Sequence, residues 1–502
     1  MKRKRFFKRG FTAILSVLFM ISAVILPASA DTGADKVTVM PIEFHNTDFI
    51  RGMDVSSVIA LENSGVKYYD EKGGEQDLFR ILADHGVNYI RVRVWNDPYN
   101  GDGNGYGGGN NDLDAAKKIG KRAAKYGMRL LVDFHYSDFW ADPGKQKSPK
   151  EWEGMALDER LAAVSAFTSR SLEAIRDAGA DIGMVQIGNE TNSGIAGVTD
   201  FNDIPKVFNA ASRAVREFDP GILIAVHFTN PEQTATMKWR ADWLAQNHVD
   251  YDVFSTSYYP YWHGSLENLT AVLKYAADTY GKYVAVAETS YAFTLDDSDG
   301  HINTVNPNEN ITDENLLWEF SPQGQADEVR AVMNAVNNVG EKGLGVFYWE
   351  GAWITVGDTT GLTGEAYENR VAENRRLWET FGSGWASSFS AEYDPDDAGK
   401  WFGGSAVDNQ TFFDHTGKAT PALSVFDKVH LEEYLDGDAD LDGYLTILDA
   451  TAIQRWLADL AYLNPTAQRA ADVTHSEGID ILDATRIQRI LAGFDDEIEK
   501  GE

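Results

Sequence analysis

The sequence predicts an α/β protein, a (β/α)8 TIM barrel followed by a small all-α domain. Eight short apolar runs alternate with amphipathic segments of helical period, which is the pattern of parallel strands joined by helices. Two of these runs end abruptly in polar residues, one at Asn189-Glu190 and the other at Glu288. Near the C terminus an acidic loop followed by a helix occurs twice, which predicts a separate calcium-binding domain.

The first thirty residues have the three parts of a secretory signal. A basic start, Lys2 to Arg5 with Lys8 and Arg9, precedes an apolar run from Ala13 to Leu26 and an Ala28-Ser29-Ala30 cleavage site. The alternative, a retained membrane anchor, fits poorly because the apolar run is short for a span. We therefore expect a secreted, extracellular protein with a signal at 1–30, a barrel domain at 31–430 and a C-terminal domain at 436–495.

Composition narrows the classes of partner. Removing the six positive charges of the signal takes the formal net charge from −32 to −38, which disfavours nucleic acid and anionic membranes. The chain has no cysteine, so disulfides cannot stabilise it outside the cell. Its 13 Trp and 21 Tyr supply flat apolar surfaces that could stack on sugar rings, although most are expected to fill the core.

The barrel elements follow from the periodicity in chain order. Strands are expected at 50–55, 89–95, 129–135, the run ending at Glu190, 222–228, 252–258, the run ending at Glu288, and 345–349. Helices are expected at 78–85, 113–126, 159–178, 205–218, 233–246, 266–280, 323–339 and 371–380. The count places Glu190 on the fourth strand and Glu288 on the seventh.

Sites of such barrels lie at the C-terminal ends of the strands, so Glu190 and Glu288 should face one pocket. A pair of carboxylates there suits glycoside hydrolysis, which needs an acid and a nucleophile or base. Other strand tips would contribute Asp54, Arg93, His135, Tyr258 and Trp349.

Several local strings resemble glycoside hydrolase family 53, the endo-β-1,4-galactanases that cut galactan side chains of pectin. They are Gly52-Met53-Asp54-Val55-Ser56-Ser57, the stretch Asp133 to Pro143, Gln186 to Glu190, Ser257 to Trp262 and Ala287 to Tyr291. The resemblance implies a retaining enzyme with Glu190 as general acid/base and Glu288 as nucleophile. Another endo-β-glycanase of the same barrel clan, a mannanase or xylanase, is the alternative. A sugar-binding barrel without catalysis is a third reading, which the intact pair of glutamates disfavours.

Side chains around the pair are expected to bind the substrate. Asn189 would hydrogen-bond the sugar hydroxyl next to the reacting carbon. Arg91 and Arg93 share strand parity, so either could face the pocket, and we expect Arg93 to do so because it is nearer the tip of the strand. Arg93 or Tyr258 would keep Glu288 ionised. Sugar platforms are expected at Trp140, Trp262 and Trp349.

Oxygen-bearing residues alternate in the loop after the seventh strand. The resemblance to bacterial members of the family implies a calcium ion there, held by Asp299, Asn303 and the carbonyl of His301 together with Ser405 and Asp408. The other interpretation is a solvated acidic loop.

The C-terminal repeats match the EF-hand loop to different degrees. The first loop offers Asp438, Asp440, Asp442, Tyr444 and Asp449 as calcium ligands. The second offers Asp472, Thr474, Ser476 and Asp483, but Glu477 stands where the loop needs glycine. We expect weaker calcium binding in the second loop.

A duplicated calcium loop and helix after a secreted glycosidase resembles a dockerin, which binds cohesin modules of scaffold proteins. The resemblance implies an apolar pair and a Gln–Arg pair in each repeat as recognition residues. They are Ile447, Leu448, Gln454 and Arg455 in the first repeat, and Ile481, Leu482, Gln488 and Arg489 in the second. Alternatively, the apolar pairs belong to the core, and the domain only binds calcium and stabilises the enzyme. We expect the protein to be a monomer.

Overall fold

Eight parallel strands close into a barrel in chain order, as the sequence predicts. The computed structural model describes residues 36–308, 316–430, 434–476 and 478–495, so the predicted signal at 1–30 and Glu477 lie outside the described residues. The strands are β1 Ile50–Asp54, β2 Tyr89–Val94, β3 Arg129–Phe134, β4 Ile182–Ile187, β5 Leu223–Phe228, β6 Val253–Ser257, β7 Tyr283–Thr289 and β8 Gly343–Tyr348.

Helices cover the outside of the barrel and continue into the C-terminal segment. They are α1 Val58–Asn63, α2 Leu78–Asp84, α3 Leu113–Lys125, α4 Leu157–Asp177, α5 Ile204–Phe218, α6 Thr234–Gln246, α7 Leu266–Tyr280, α8 Pro322–Asn337, α9 Gly364–Phe381, α10 Val425–Lys428, α11 Ile447–Leu457, α12 Pro465–Ala471 and α13 Ile481–Leu491. Among the described helices, none has the length and apolarity required to span a membrane.

Most predicted boundaries are correct within two residues. The larger errors occur where the apolar periodicity of the sequence is weak. Helix α9 begins seven residues before the predicted start at 371, and only Asn374 and Trp378 of it are buried. Because so little of α9 is buried, apolar residues do not recur regularly along it, and the sequence gives no clear signal of where the helix begins. The short helices α1 and α12 were not predicted, because six or seven residues carry too little periodicity to distinguish a helix.

The barrel interior changes from apolar to polar along its axis. Its base is filled by side chains such as Tyr89, Leu131, Met184 and Phe347. The ring of Phe347 leaves no room for a side chain at position 52, where a Cβ would lie 2.2 Å from it, so β1 needs glycine there. Side chains point inward at every second residue. Two residues further along their strands, the next inward positions form a polar layer nearer the C-terminal ends. This layer contains the buried side chains Arg91, Asp133, Gln186 and His227.

The C-terminal segment packs around its own small core and contacts the base of the barrel. Helices α11 and α13 pack together over Ala450, Ile453, Ala484 and Ile487. The segment reaches the barrel through α12 and the residues before it. Arg469 pairs with Asp427 at 2.8 Å, Gln468 Nε2 donates to Asp84 Oδ1 at 3.2 Å, and the Tyr462 ring meets the Tyr126 ring edge-on. A cavity of about 810 Å³ lies between the two parts, at the barrel end opposite Glu190 and Glu288.

Candidate active site

The backbone at the end of β4 turns sharply, which brings Asn189 and Glu190 into the barrel mouth. Gly188 has φ of +103°, and a Cβ there would lie 2.6 Å from Thr191 Cγ2, so only glycine fits. Glu190 also has positive φ, +42°, which is strained for a residue with a side chain. Such strain is often found where the surrounding structure holds a functional side chain in place.

Arg91 lies at the centre of the polar layer and joins four strand ends. It donates to Asp54 Oδ2 at 2.9 Å and to Asp133 Oδ2 at 2.8 Å, and it also donates to Asn189 Oδ1 at 3.0 Å and Glu288 Oε1 at 2.8 Å. Arginine suits this place because its guanidinium presents five donors in one plane.

Arg91 and Arg93 both line the cleft, but the expectation that Arg93 would keep Glu288 ionised was wrong. Arg93 lies one layer higher and donates to Glu350 Oε1 at 2.5 Å and to the carbonyl of Gly108. Its guanidinium stacks 4.4 Å from the ring centre of Trp140. Arg93 therefore supports the aromatic wall of the cleft, and Arg91 is the cation that pairs with Glu288.

The expectation that Tyr258 would face the pocket and keep Glu288 ionised was also wrong. Its side chain faces the core, and its hydroxyl donates to the carbonyl of Gly264 at 3.0 Å. The next residue, Tyr259, donates to Glu288 Oε2 at 2.9 Å. Tyr259 shares inward parity with Ser257, but the sequence does not mark this parity because every residue of β6 is buried.

The two glutamates differ in their surroundings although both line one cleft. Burial, together with the charge of Glu288, raises the pKa of Glu190 to about 8. Burial also raises the pKa of Glu288, but the Arg91 charge opposes that rise. Glu288 receives charge-assisted bonds, whereas Glu190 Oε1 lies 2.6 Å from the neutral hydroxyl of Ser257. When the pair holds a single proton, these contacts favour Glu190 as its carrier.

Aromatic side chains form one wall of the cleft, which encloses about 170 Å³. Trp140 and Trp385 stack with ring centres 4.5 Å apart, and Trp349 packs beside them. Trp385 was not predicted, since it comes from a loop far along the chain. Trp262 is 51% exposed and lies beside Tyr259, outside the enclosed part of the cleft.

Two other predicted substrate-binding residues have different positions in the site. His135 lines the cleft, and its Nδ1 accepts hydrogen bonds from Trp95 Nε1 and Ala141 N. Asp54 is fully buried below the cleft, where it binds Arg91 and Ser56. Asp54 therefore acts on the site through Arg91.

A carboxylate cluster lies in the region predicted to hold the barrel calcium. Ligand atoms of Asp297, Asp299 and Asp408 all lie within 4.8 Å of one another. Asp297 was missed by the sequence analysis, although it precedes Asp299 at the same alternating spacing. Burial and the nearby carboxylates raise the pKa of Asp299 well above its usual range. These charges need protons or a cation.

The remaining predicted ligands surround this cluster in different ways. Asn303 Nδ2 donates to Asp408 Oδ1 at 2.7 Å, while its buried Oδ1 has no hydrogen-bond partner within the described chain. The backbone N–H groups of His301 and Ser405 both donate to Asp299, and the Ser405 hydroxyl donates to the carbonyl of Trp353.

The first C-terminal loop also brings its acidic side chains together. Ligand atoms of Asp438, Asp440 and Asp442 lie within 4.8 Å of one another. Asp442 Oδ1 accepts the N–H of Tyr444, and the Asp449 carboxylate accepts the N–H groups of Asp440 and Thr446. The loop is therefore closed around a group of oxygens.

The second loop uses its oxygens internally. The Thr474 hydroxyl donates to Asp483 Oδ1 at 2.8 Å, and Ser476 donates through its N–H to Asp472 Oδ1 and through its hydroxyl to the carbonyl of Gly478. Oxygens of Asp472, Ser476 and Asp483 in this loop therefore take part in hydrogen bonds within the loop.

The predicted recognition residues of α11 and α13 lie on the surface. Ile447, Leu448, Ile481 and Leu482 are 54–59% exposed, so the alternative that these apolar pairs form the core is wrong. The first recognition pair (Gln454 and Arg455) and the second recognition pair (Gln488 and Arg489) are exposed as well. Arg489 forms an ion pair with Asp495.

Comparison with known proteins agrees with this geometry. The sequence profile of glycosyl hydrolase family 53 matches residues 50–426. The chain is 53% identical over 424 residues to the endo-beta-1,4-galactanase of Bacillus subtilis, covering 82% of this chain and 96% of the relative. It is 33% identical over 350 residues to an arabinogalactan endo-beta-1,4-galactanase of Cellvibrio japonicus, covering 66% of this chain and 86% of the relative.

A solved structure supports the same assignment. The Ignisphaera aggregans GH53 catalytic domain superimposes with a TM-score of 0.68 at 36% sequence identity, covering 79% of this chain and 100% of that domain. The profile match, the curated relatives and this structure together show that the chain belongs to glycosyl hydrolase family 53.

Proposed function

We propose that the protein is a retaining endo-β-1,4-galactanase that cleaves galactan, including the side chains of type I arabinogalactan. The observation that carries the proposal is the pair Glu190 and Glu288, which face one cleft in different electrostatic surroundings. The 53% identity to a galactanase over most of both chains supports this substrate over mannan or xylan.

In the first step Glu288 Oε attacks the anomeric carbon while Glu190 transfers its proton to the leaving glycosidic oxygen. A covalent galactosyl–enzyme forms, and the shortened chain leaves with the proton. Glu190, now a carboxylate, takes a proton from water as the water attacks the same carbon and releases Glu288. Arg91 and Tyr259 hold the Glu288 carboxylate in position, and Asn189 is placed to bind the adjacent sugar hydroxyl.

Product analysis tests the substrate and the stereochemistry. Reducing ends should be released from galactan and not from mannan or xylan. Proton NMR of the earliest products should show the β anomer first. An initial α anomer would contradict the retaining mechanism.

The roles are separated by two variants. Glu288→Ala should lose turnover on all substrates and regain it with azide, which occupies the space of the carboxylate and forms an α-galactosyl azide. Glu190→Ala should keep activity on aryl galactosides with good leaving groups, since these need no acid. With azide, Glu190→Ala should instead form a β-galactosyl azide. The reverse pattern would exchange the two roles.

We also propose that calcium binds the cluster of Asp297, Asp299 and Asp408. The donors fit, because calcium prefers several oxygens and Asn303 offers a buried, unpartnered carbonyl oxygen. The ion would offset the carboxylate charges and link the loop after β7 to residues 405–408, in a chain without disulfides.

The C-terminal domain and the leader support a proposal about location. We infer that the protein is secreted and that its C-terminal domain is a dockerin that binds a cohesin module. The exposed apolar pairs and the repeated recognition pairs support this, because a domain serving only to bind calcium has no need of them. Calorimetric titration of the full chain with cohesins, with and without chelator, tests the inference, and no binding to any cohesin would contradict it.

A further inference from the structure

His227, at the end of β5, is a buried histidine that the mechanism above does not use. Its Nδ1 lies 2.9 Å from Asn189 Oδ1 and its Nε2 lies 2.9 Å from Ser257 Oγ. Ser257 Oγ in turn lies 2.6 Å from Glu190 Oε1. The side chains of Asn189, His227, Ser257 and Glu190 therefore form one continuous hydrogen-bonded chain, called the relay below.

The contacts of Asn189 determine which atoms donate and which accept in the hydrogen bonds of the relay. Asn189 Nδ2 donates to the carbonyl of Ala141 at 2.8 Å, so Oδ1 is the atom that faces Arg91 and His227. An amide oxygen only accepts, so the 2.9 Å contact places the proton on His227 Nδ1, and it is shorter than the 3.4 Å approach of the Glu190 backbone N–H to the same nitrogen. Gln186 Nε2 lies 3.1 Å from this nitrogen, but its protons have Asp133 Oδ1 at 2.6 Å and the carbonyl of Gly188 as acceptors.

The remaining bonds follow from the neutral state of the imidazole. Burial, followed by the charge of Arg91, lowers the pKa of His227 well below its usual value, so the ring carries one proton. With that proton on Nδ1, Nε2 is an acceptor and the Ser257 hydroxyl donates to it. Ser257 Oγ then offers only lone pairs to Glu190, and the 2.6 Å contact is satisfied when the Glu190 carboxyl donates.

We propose that His227 and Ser257 are positioning residues whose hydrogen bonds hold the proton on Glu190 and join its protonation to the orientation of Asn189. The inference depends on the proposed role of Glu190. When Glu190 gives its proton to the leaving oxygen, Ser257 must rotate to donate to the new carboxylate. His227 Nε2 then faces a lone pair, or the ring takes the other tautomer and gives up its bond to Asn189.

Charged and titratable groups face the relay from the neighbouring segments. They are Arg91, Asp133, His135, Asp142, Tyr259 and Glu288. Thr229 also hydrogen-bonds Glu190. These groups are unchanged in the variants below, so differences between variants report on the relay.

The test is the pH dependence of kcat/KM on galactan, whose basic limb reports the acid of the free enzyme. His227→Asn keeps a donor toward Asn189 and removes the acceptor for Ser257. The Ser257 hydroxyl can then donate to the Glu190 carboxylate, and the basic limb should move to lower pH by about one unit. If Ser257 already donates to Glu190 in the native protein, this limb should stay or move up, which would overturn the proposal.

Two serine variants complete the experiment. Ser257→Ala removes the acceptor of the acid and should also lower the basic limb, whereas removal of a simple donor would raise it; this variant decides the question if His227→Asn does not fold. Ser255→Ala is the matched control, because Ser255 is buried on the same strand and donates to the carbonyl of Val226. An equal shift in this control would overturn the proposal.

The proposed function has a separate readout. Glu190→Gln should lose the basic limb altogether. If it retains that limb, the role of Glu190 is wrong. If Glu190→Gln loses the limb while His227→Asn and Ser257→Ala leave it unmoved, only the relay is wrong.

Discussion

Replacing Arg91 with lysine tests whether this residue keeps Glu288, the proposed nucleophile, ionised. Arg91 holds Asp54, Asp133 and Glu288 through three ion pairs of 2.8–2.9 Å. Lysine keeps the charge but carries a single ammonium on a flexible stem, which cannot reproduce the planar arrangement. We expect at least the bond to Glu288 to weaken or break.

The size of the effect follows from the strength of one charge-assisted hydrogen bond. Such a bond contributes about 1.5–3 kcal/mol, so its loss should lower kcat/KM by roughly 10- to 100-fold. Glu288 must be ionised to attack, so activity falls as the pH drops through its pKa. Loss of a cationic donor raises that pKa, and the acid limb of the profile should move up by about one to two pH units.

The assay is the pH profile of kcat/KM on galactan, with the Tm of each variant as a check on folding. Arg93→Lys is the matched control, because Arg93 is on the same strand with the same burial but pairs with Glu350. Its acid limb should stay in place, although sugar binding can weaken through Trp140. An equal shift in both variants, or no shift in Arg91→Lys, would refute the reasoning.

Three further outcomes are expected. Chelator should lower the Tm of the barrel, and Asp299→Asn should abolish that response while Asp440→Asn in the C-terminal loop retains it; equal responses would place the stabilising ion elsewhere. Alanine substitution of one recognition pair should weaken cohesin binding only slightly, because the other repeat can take its place, and substitution of both should cost several kcal/mol by calorimetry; a large loss from one pair would indicate a single binding face. Burial raises the pKa of Glu328 to about 8, above its usual 4.5, so the unfolded chain binds fewer protons between these values and stability should fall as the pH rises through that window. Glu328→Gln should flatten this dependence in thermal unfolding, and an unchanged slope would contradict the assignment.

The alternation of apolar runs and amphipathic segments determined the barrel, because each strand needs apolar residues and each crossover needs a helix. The same pattern placed Glu190 and Glu288 at strand tips, and parallel strands bring their C-terminal ends to one face. Local spacing also located the acidic loops, since the carboxylates of each loop lie close together along the chain.

The depth at which each inward-facing side chain lies within the barrel was decided only by the tertiary structure. Arg91 and Arg93 have the same parity, and the difference of two residues puts one among Asp54, Asp133 and Glu288 and the other under the aromatic wall. A register shift after Thr256 accompanies the inward turn of Tyr259 in place of Tyr258. Strands buried on both faces carry little alternation, so the sequence does not reveal which parity faces the pocket.

Contacts between distant segments were likewise beyond the sequence. Trp385 joins the wall beside Trp140, Asp408 joins Asp297 and Asp299, and Ser257 links His227 to Glu190. Local periodicity and spacing report only on neighbours along the chain. These groups come from separate strands and loops, which meet only when the barrel closes. Closure of the barrel therefore decides which side chains share a site.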